Sequence, residues 1–341
     1  MDRFLNERPG MDAIALVRVA SLRGIVTFLA RIGSPVEQLL ERVGLRREVF
    51  DDDEGLIPLE LGMRFLDVAA RVEGIEHLGL RAGSGTSVES LGTFGRVLRH
   101  APSLAAALEA AARLVPTFGS GERLWLEIDG DEARLCHRIV APPSDGLRHA
   151  EAYALAIAIN LVRLVAGREW LPAALRLQST LPNRPRTQLA GVRLTDEQQV
   201  AGFAFPRALL EGGLPAPNGV PAVTDEELRR WKRSAPSLDF AGSVHQVIDA
   251  LSNDLRPKIA SIAAAIGLSV RSLQRRLATA GVSFDRLVDD GNLDSAAELL
   301  RGPDKIIDVA IALGYSDPAH FSRAFRRWTG LTPRDFRRQS A

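Results

Sequence analysis

Two stretches of sequence decide the fold: IASIAAAIGLSVRSLQRRLATAG, residues 259–281, and IIDVAIALGYSDPAHFSRAFRRWTG, residues 306–330. Each predicts a short apolar helix, a turn that contains glycine, and a second helix rich in arginine. The turn glycines are Gly267 and Gly314. Two such helix-turn-helix units in tandem are what a monomer needs to read two adjacent major-groove half-sites of double-stranded DNA.

The second helix of each copy is predicted to have an apolar side and an opposite polar side. Leu273 and Leu277 in the first copy, and Phe321 and Phe325 in the second, lie one helical turn apart and point into the core. The residues on the polar sides are expected to contact bases: Arg271, Gln274, Arg275, Ala319, Ser322 and Arg323. Arginine pairs with guanine, and glutamine with adenine, through two hydrogen bonds each. Polar and cationic residues beside them are expected to contact phosphates: Arg276, His320, Arg326 and Arg327.

A solvated surface is the competing interpretation, since arginine-rich amphipathic helices are common and a single helix-turn-helix pattern arises by chance. Two copies with the same apolar spacing and basic outer faces favour DNA binding. The charge distribution agrees, because residues 256–341 hold 14 Lys and Arg against 9 Asp and Glu, whereas residues 1–255 hold 29 against 33. A basic tail on an acidic body predicts that the tail alone meets a polyanion.

Residues 1–210 are predicted to form an α+β domain. Helices are expected at residues 13–32, 34–44, 58–74, 102–118 and 147–166, and strands at residues 124–128, 133–140, 174–179 and 200–205. Residues 211–240 are rich in proline and glycine, which predicts a linker that contains one short charged helix. Residues 241–341 are then predicted to form an all-α domain.

The chain has one cysteine, Cys136. It has no partner for an intramolecular disulfide, and a zinc site built on thiolates needs several cysteines, so a reducing compartment is expected. The most apolar run, residues 152–162, is too short to span a bilayer and is interpreted as part of a buried helix. The first residues, MDRFLNERPG, carry no secretory signal, which predicts a cytoplasmic protein with no membrane partner.

The C-terminal residues resemble the AraC/XylS family of bacterial transcription regulators. The second copy carries most of the likeness, in IIDVA from Ile306, LGYSD from Leu313 and HFSRAFRRWTGLTPRDFRR from His320, and the first copy adds LQRRL and GVSF. The resemblance implies two helix-turn-helix subdomains joined by a long helix near residues 284–300, with recognition helices about 34 Å apart. One departure is the Gly291-Asn292 pair, since the family usually carries arginine where Asn292 stands.

The N-terminal half is similar to the arabinose-binding-type effector domain of regulators of ornithine utilisation and other small-molecule catabolism. The likeness lies in WLP from Trp170, the strand from Ala174, VAGFAF from Val200, and LL from Leu209. It implies that residues 1–210 sense a small molecule and dimerise. Because ligand pockets are apolar with a few polar groups, the candidate effector-binding residues are Trp125, His137, Arg138, Arg148 and Tyr153. A structural role is the alternative for each of them.

The sequence contains no Walker A loop, no GxGxxG after a strand, no HExxH and no GxSxG. No catalytic residue, cofactor or metal site is therefore expected. Residues 83–87, which are small, are interpreted as a flexible connection rather than an anion site. The prediction is a transcription regulator, an activator controlled by an effector, with RNA polymerase and a second copy of the chain as further partners. The alternatives are a repressor of the same architecture and an enzyme domain fused to a DNA-binding tail.

Overall fold

The computed structural model describes residues 13–141, 144–181, 189–251, 257–315 and 317–340. The chain divides into two compact units, one of Ala15–Pro236 and one of Ser237–Ala341 together with the segment that ends at Ile14. The first unit is mixed α and β, and the second is helical in its described residues. Both fold classes agree with the prediction from sequence. The division falls inside residues 211–240, whose assignment as the linker stays a prediction.

The elements of the first unit alternate irregularly along the chain. Its helices are α1 (Ala20–Arg31), α2 (Val36–Glu41), α3 (Leu59–Glu73), α4 (Leu78–Ser84), α5 (Gly92–Arg99), α6 (Leu104–Phe118), α7 (Asp145–Ala166) and α8 (Asp225–Arg233). Its strands are β1 (Leu16–Arg18), β2 (Leu56–Pro58), β3 (Glu122–Asp129), β4 (Glu132–Ile139), β5 (Ala174–Arg176), β6 (Arg193–Thr195) and β7 (Ala201–Pro206). Short 3₁₀ helices cover Arg47–Asp51, Val88–Leu91 and Arg207–Glu211.

The strands form two sheets. Strands β1 and β2 make a small antiparallel pair in which Val17 lies opposite Ile57. The other five form one sheet in the order β3-β4-β7-β5-β6, in which β5 and β6 are parallel and the remaining neighbours are antiparallel. The predicted hairpin is present as β3 and β4, with Leu124 opposite His137. This register decides which residues of the hairpin share a face.

Several elements differ from the prediction: strands β1, β2 and β6 and helices α4 and α5 are absent from it, and one predicted helix is shorter. The helix expected over residues 13–32 covers only Ala20–Arg31, because Leu16–Arg18 pair with β2 as strand β1. An apolar run this short fits a strand or a helix, and the pairing partner distant in sequence decides between them. Strand β6 is absent from the prediction, since its three residues contain a single buried side chain, Leu194, and carry no periodic signal.

Helix α7 is the central helix of the first unit. By length and composition it is apolar enough to cross a membrane, but most of it is buried inside the unit, as expected of a core helix. Ser144 caps its first turn by accepting a hydrogen bond from the backbone N–H of Leu147. Glu151 is fully buried and accepts hydrogen bonds from Ser179 and from the backbone N–H of Gln178. Burial raises the pKa of Glu151, and these hydrogen bonds oppose that rise.

Helix α4 lies unusually close to α7 because it carries two glycines on one side. A Cβ placed on Gly79 would lie 1.9 Å from the backbone oxygen of His149, and one on Gly83 would lie 2.7 Å from the Cβ of Ala156. Both distances are too short for any larger residue. The interpretation of residues 83–87 as a flexible connection is therefore wrong at Gly83, which is helical and packed.

The segment before the division is held to the body of the first unit by a buried arginine. Arg18 of β1 is fully buried and donates hydrogen bonds to the backbone oxygens of Trp231 at 2.8 Å and Ser234 at 3.1 Å. Its guanidinium also lies 4.8 Å from the centre of the Trp231 ring. Helix α8 thus ends on a cation, which suits the negative end of a helix dipole. Burial lowers the pKa of Arg18 to about 10, with Glu54 and Asp52 opposing the shift.

The described helices of the second unit are α9 (Phe240–Leu251), α10 (Ile259–Ala265), α11 (Val270–Thr279), α12 (Phe284–Arg301), α13 (Ile306–Ala312), α14 (Pro318–Thr329) and α15 (Pro333–Ser340). The last four helices close a core around Phe321 and Phe325, which are fully buried. The Phe336 ring of α15 meets Phe325 edge-on at 5.3 Å between ring centres. Helix α12 is the long joining helix that the resemblance implies.

Candidate nucleic-acid interface and candidate ligand cavity

Helices α10 and α11 form the first helix-turn-helix unit. Gly267 makes the turn with a φ of 70°, and the side chain of Ser269 caps α11 by accepting a hydrogen bond from the backbone N–H of Ser272 at 3.1 Å. Leu273 and Leu277 are buried, as predicted. The opposite side of α11 exposes three residues that the sequence assigns to base contacts: Arg271, Gln274 and Arg275.

Helices α13 and α14 repeat this arrangement. Gly314 makes the turn with a φ of 84°, and Asp317 caps α14 by accepting a hydrogen bond from the backbone N–H of Ala319 at 2.8 Å. On the side of α14 away from the core, Ala319 and Arg323 are exposed and Ser322 is half-buried.

The four residues assigned to phosphates differ in their surroundings. Arg276 is half-buried, with its guanidinium 4.2 Å from the centre of the Phe240 ring on α9. Arg327 lies 3.2 Å from the carboxylate of Asp289 on the joining helix. His320 and Arg326 are exposed, and the imidazole of His320 is 3.8 Å from the carboxylate of Asp317, the capping residue three positions before it. Arg326 is therefore the member of the set best presented to a phosphate.

The joining helix α12 continues without a break through Gly291 and Asn292. Gly291 is buried, and a Cβ there would lie 2.7 Å from Oδ1 of Asp249 and 3.2 Å from Nε2 of His245. The glycine therefore allows α9 to approach α12 closely, which explains its presence inside a helix. Burial raises the pKa of Asp249, with His245 opposing and Asp294 adding to the shift.

A cavity of about 130 Å³ lies between one face of the β3–β4 hairpin and helices α1, α3, α5, α6 and α7. Its wall is apolar almost throughout, with Leu124, Leu135 and Ile139 on the sheet side and Ile157 and Leu161 among the residues on α7. Glu122, His137 and Tyr153 are the titratable residues of the wall among those the structure describes. Burial raises the pKa of Tyr153 to about 12, so its phenol stays neutral.

The structure separates the five residues proposed for effector binding. His137 and Tyr153 line the cavity. Trp125 and Arg138 alternate with the cavity-lining residues of β3 and β4 and therefore lie on the other face of the hairpin. Trp125 donates a hydrogen bond to Glu127 at 3.0 Å on that face. Arg148 lies in the first turns of α7, 3.7 Å from the carboxylate of Asp145, and does not line the cavity.

Glu122 is the cavity residue that the sequence did not single out. It precedes the strand predicted at residues 124–128, yet the structure begins β3 at Glu122. On that strand it shares the face of Leu124, so the period of two would have found it had the strand been started earlier. Its Oε2 lies 3.0 Å from Nε2 of His137.

Within the described part of the chain, no group of three or more His, Cys, Asp or Glu residues is placed to hold a metal ion. The single cysteine is buried on β4, and burial raises the pKa of its thiol to about 12.

Comparison with known proteins identifies the family to which the chain belongs. A model for a helix-turn-helix domain matches residues 262–339. A model described as the N-terminal arabinose-binding domain of AraC transcription regulators matches residues 33–214. Two capped helix-turn-helix units behind an α+β domain define a DNA-binding transcription regulator. The chain belongs to the AraC family of these regulators.

Two curated relatives that align along almost the whole chain are also regulators. The Ornithine utilization regulator of Pseudomonas aeruginosa is 24% identical over 329 residues, which cover 94% of this chain and 96% of that protein. The HTH-type transcriptional regulator VirS of Mycobacterium tuberculosis is 23% identical over 341 residues, covering 96% and 98%. Among solved structures, the transcriptional regulator CdpR from Pseudomonas aeruginosa matches with 22% identity and a TM-score of 0.40, covering 94% of this chain and 98% of that one.

Proposed function

We propose that this regulator is an activator of transcription whose DNA binding is controlled by a small molecule held in the cavity of the first unit. The observation that carries the proposal is the pair of capped helices, α11 and α14, whose apolar sides are buried and whose polar sides are exposed. Bases would be contacted by Arg271, Gln274, Arg275, Ala319, Ser322 and Arg323.

The contribution of the two helices to readout is unequal under this proposal. Helix α11 exposes two arginines and a glutamine, each able to make two hydrogen bonds to one base. Helix α14 offers Ala319 and Ser322 beside Arg323. We therefore assign more of the base discrimination to the first half-site and more of the phosphate anchoring to the second, through His320 and Arg326.

Control by an effector requires a difference in affinity. A ligand shifts an equilibrium between two arrangements only by as much as it binds one better than the other. The apolar cavity of the first unit supplies a place where a small molecule would be bound. Under this proposal the protein is a cytoplasmic homodimer. In its activated state it contacts RNA polymerase.

Selection of duplexes from a random pool by the full chain tests the DNA-binding part. The expected result is enrichment of two half-sites centred about 10 base pairs apart. The double variant Arg275→Ala/Arg323→Ala should lose the enrichment, since it removes one exposed arginine from each reading face. Arg286→Ala is the matched control, because Arg286 is equally exposed but lies on the joining helix and pairs with Asp290. Enrichment that survives the double variant would contradict the assignment.

Deletion of the gene, followed by measurement of transcripts, tests the direction of control. Activation predicts that target transcripts fall, whereas a rise identifies the repressor alternative. The enzyme alternative is tested separately, by incubating the full chain with candidate metabolites and measuring turnover. Turnover that depends on cavity residues would favour an enzyme domain.

A further inference from the structure

The geometry points to a specific class of ligand for the cavity: a small apolar molecule, of about the size of a single aromatic ring, that carries one hydrogen-bond donor. Phenol represents this class. The inference rests on the proposed role of the cavity as the effector site, and it concerns the chemistry of the site rather than the consequence of filling it.

The size of the cavity sets the size of the ligand. An apolar cavity of roughly 150 Å³ in another protein holds benzene and stays free of water. The cavity here, at about 130 Å³, is of the same order. Its leucine, isoleucine, valine and phenylalanine wall gains contacts with an apolar ligand and offers little to a hydrated one.

His137 supplies the polar contact. Its side chain is 95% buried, and Nε2 lies 3.0 Å from the carboxylate of Glu122. A carboxylate can only accept, so Nε2 carries the proton and donates. In the neutral imidazole Nδ1 is then an acceptor, and it has no hydrogen-bond partner among the described residues. A ligand hydroxyl that donates to Nδ1 would satisfy this buried atom, whose unmade hydrogen bond is costly.

The same geometry excludes other ligands. A carboxylate would place a second negative charge beside Glu122 in an apolar wall, and buried like charges repel strongly. A sugar such as arabinose would bury several hydroxyls against leucine and phenylalanine, where most would find no partner. The polar side chains of the wall among the described residues are few: Ser21, Glu122, His137 and Tyr153.

Binding of phenol, toluene, benzoate and L-arabinose to the full chain by calorimetry tests the inference. We expect phenol to bind about 10-fold more tightly than toluene, the factor that one hydrogen bond supplies. Benzoate and arabinose should bind at least as weakly as toluene. Equal affinity for phenol and toluene, or tighter binding of benzoate or arabinose than of phenol, would overturn it.

Variants locate the contact. In His137→Leu the preference for phenol over toluene should fall to about one, since the acceptor is gone. Arg134→Gln is the matched control: it lies on the same strand, but its side chain is on the other face, and the preference should stay. Should His137→Leu fail to fold, Ala154→Phe fills the cavity from α7 and should abolish binding of both probes. A preference that persists in His137→Leu contradicts the assignment of Nδ1.

The same samples separate this inference from the proposed function. DNA affinity is measured with and without phenol on a selected duplex. Phenol binding that leaves DNA affinity unchanged supports the ligand class and contradicts effector control. DNA binding without any phenol binding contradicts the ligand class and leaves the regulator assignment intact.

Discussion

His149 on α7 is a buried histidine whose protonation destabilises the fold. Burial lowers its pKa to about 4, and the nearby Arg148 adds to the shift. In the unfolded chain its pKa is near the ordinary value of about 6.5. Above this value both states are neutral, whereas below it only the unfolded state takes up the proton. Stability is therefore lost as the pH falls from about 6.5 to about 4, by roughly 3 kcal/mol in total.

Urea unfolding at pH 7.5 and pH 4.5 measures this loss. His149→Leu should lose less stability than the native chain between the two pH values, because it has no proton to take up. The exposed His100 provides the control, and His100→Gln should keep the full pH dependence. An equal loss of stability in His149→Leu and in the native chain would show that another group titrates.

Arg275 is expected to read one base. Arg275→Ala should weaken binding to the selected duplex by about 1–3 kcal/mol and relax the preference at one position. Fluorescence anisotropy with the selected duplex and with a scrambled one measures both effects. Equal losses on the two duplexes would mean that Arg275 contacts only the backbone, and Arg286→Ala should change neither affinity.

Arg326 and Arg327 are neighbours with different partners, and the salt dependence of DNA binding distinguishes them. Arg326→Ala should lower the slope of log affinity against log salt by about 0.9, the value for one lost phosphate contact. Arg327→Ala should lower it by less, since Asp289 already neutralises that guanidinium. Equal slopes for Arg326→Ala and the native chain would exclude a phosphate contact by Arg326.

At the scale of secondary-structure elements, the crossing of α4 and α7 depends on glycine. Gly79→Ala would push α4 away from the His149 carbonyl, and we expect the free energy of unfolding to fall by about 2–3 kcal/mol. Gly85 ends the same helix, and a Cβ there would make only ordinary van der Waals contacts, at 3.7 Å and beyond, so Gly85→Ala should change stability little. Thermal unfolding of the two variants measures the difference. A similar melting temperature for both would show that α4 can shift without cost.

The helices of the second unit were predictable because each carries its own local signals. Ser269 and Gly267 mark a cap and a turn, and the apolar pair Leu273 and Leu277 fixes the buried side, so no distant residue is needed. Strand β1 is the opposite case: Leu16–Arg18 become a strand only because residues 56–58 lie beside them. Local periodicity cannot supply such a partner.

The two candidate sites differ in the same way: local sequence is enough to predict one of them, and the other depends on distant parts of the chain. The polar sides of α11 and α14 are fixed by local helical spacing, and the structure exposes the residues named for α11. The cavity is different, because the hairpin pattern gives two faces without saying which one the helices cover. Trp125 and Arg138 lie on the face away from the cavity, whereas His137 lies on the face that lines it. The packing of α7 on the sheet determines which face of the hairpin lines the cavity, and local sequence does not show this packing.

For the first unit as a whole, Arg18 joins parts of the chain that are far apart in sequence. Removing it leaves the backbone oxygens of Trp231, Ser234 and Thr117 without their donor. Arg18→Met should lower the free energy of unfolding by about 3–5 kcal/mol, the usual cost of breaking a buried ionic network. Arg23→Met should lower it by about 1 kcal/mol or less, since the ion pair with Asp53 is partly exposed. Urea unfolding with tryptophan fluorescence compares them, and equal costs would contradict a special role for Arg18.

Cys136 lies on β4 between Leu135 and His137, two residues of the cavity wall, so its own side chain is on the other face of the hairpin. Its thiol is buried and has a raised pKa. Thiol alkylation requires the thiolate and access by the reagent. The native sheet should therefore resist maleimide, and labelling should proceed only through transient opening of the hairpin. Because the chain has one cysteine, the labelling rate measured by mass spectrometry reports that opening alone. A molecule bound in the cavity should slow this labelling. The labelling rate of Cys136 therefore measures ligand binding without DNA and without an added dye.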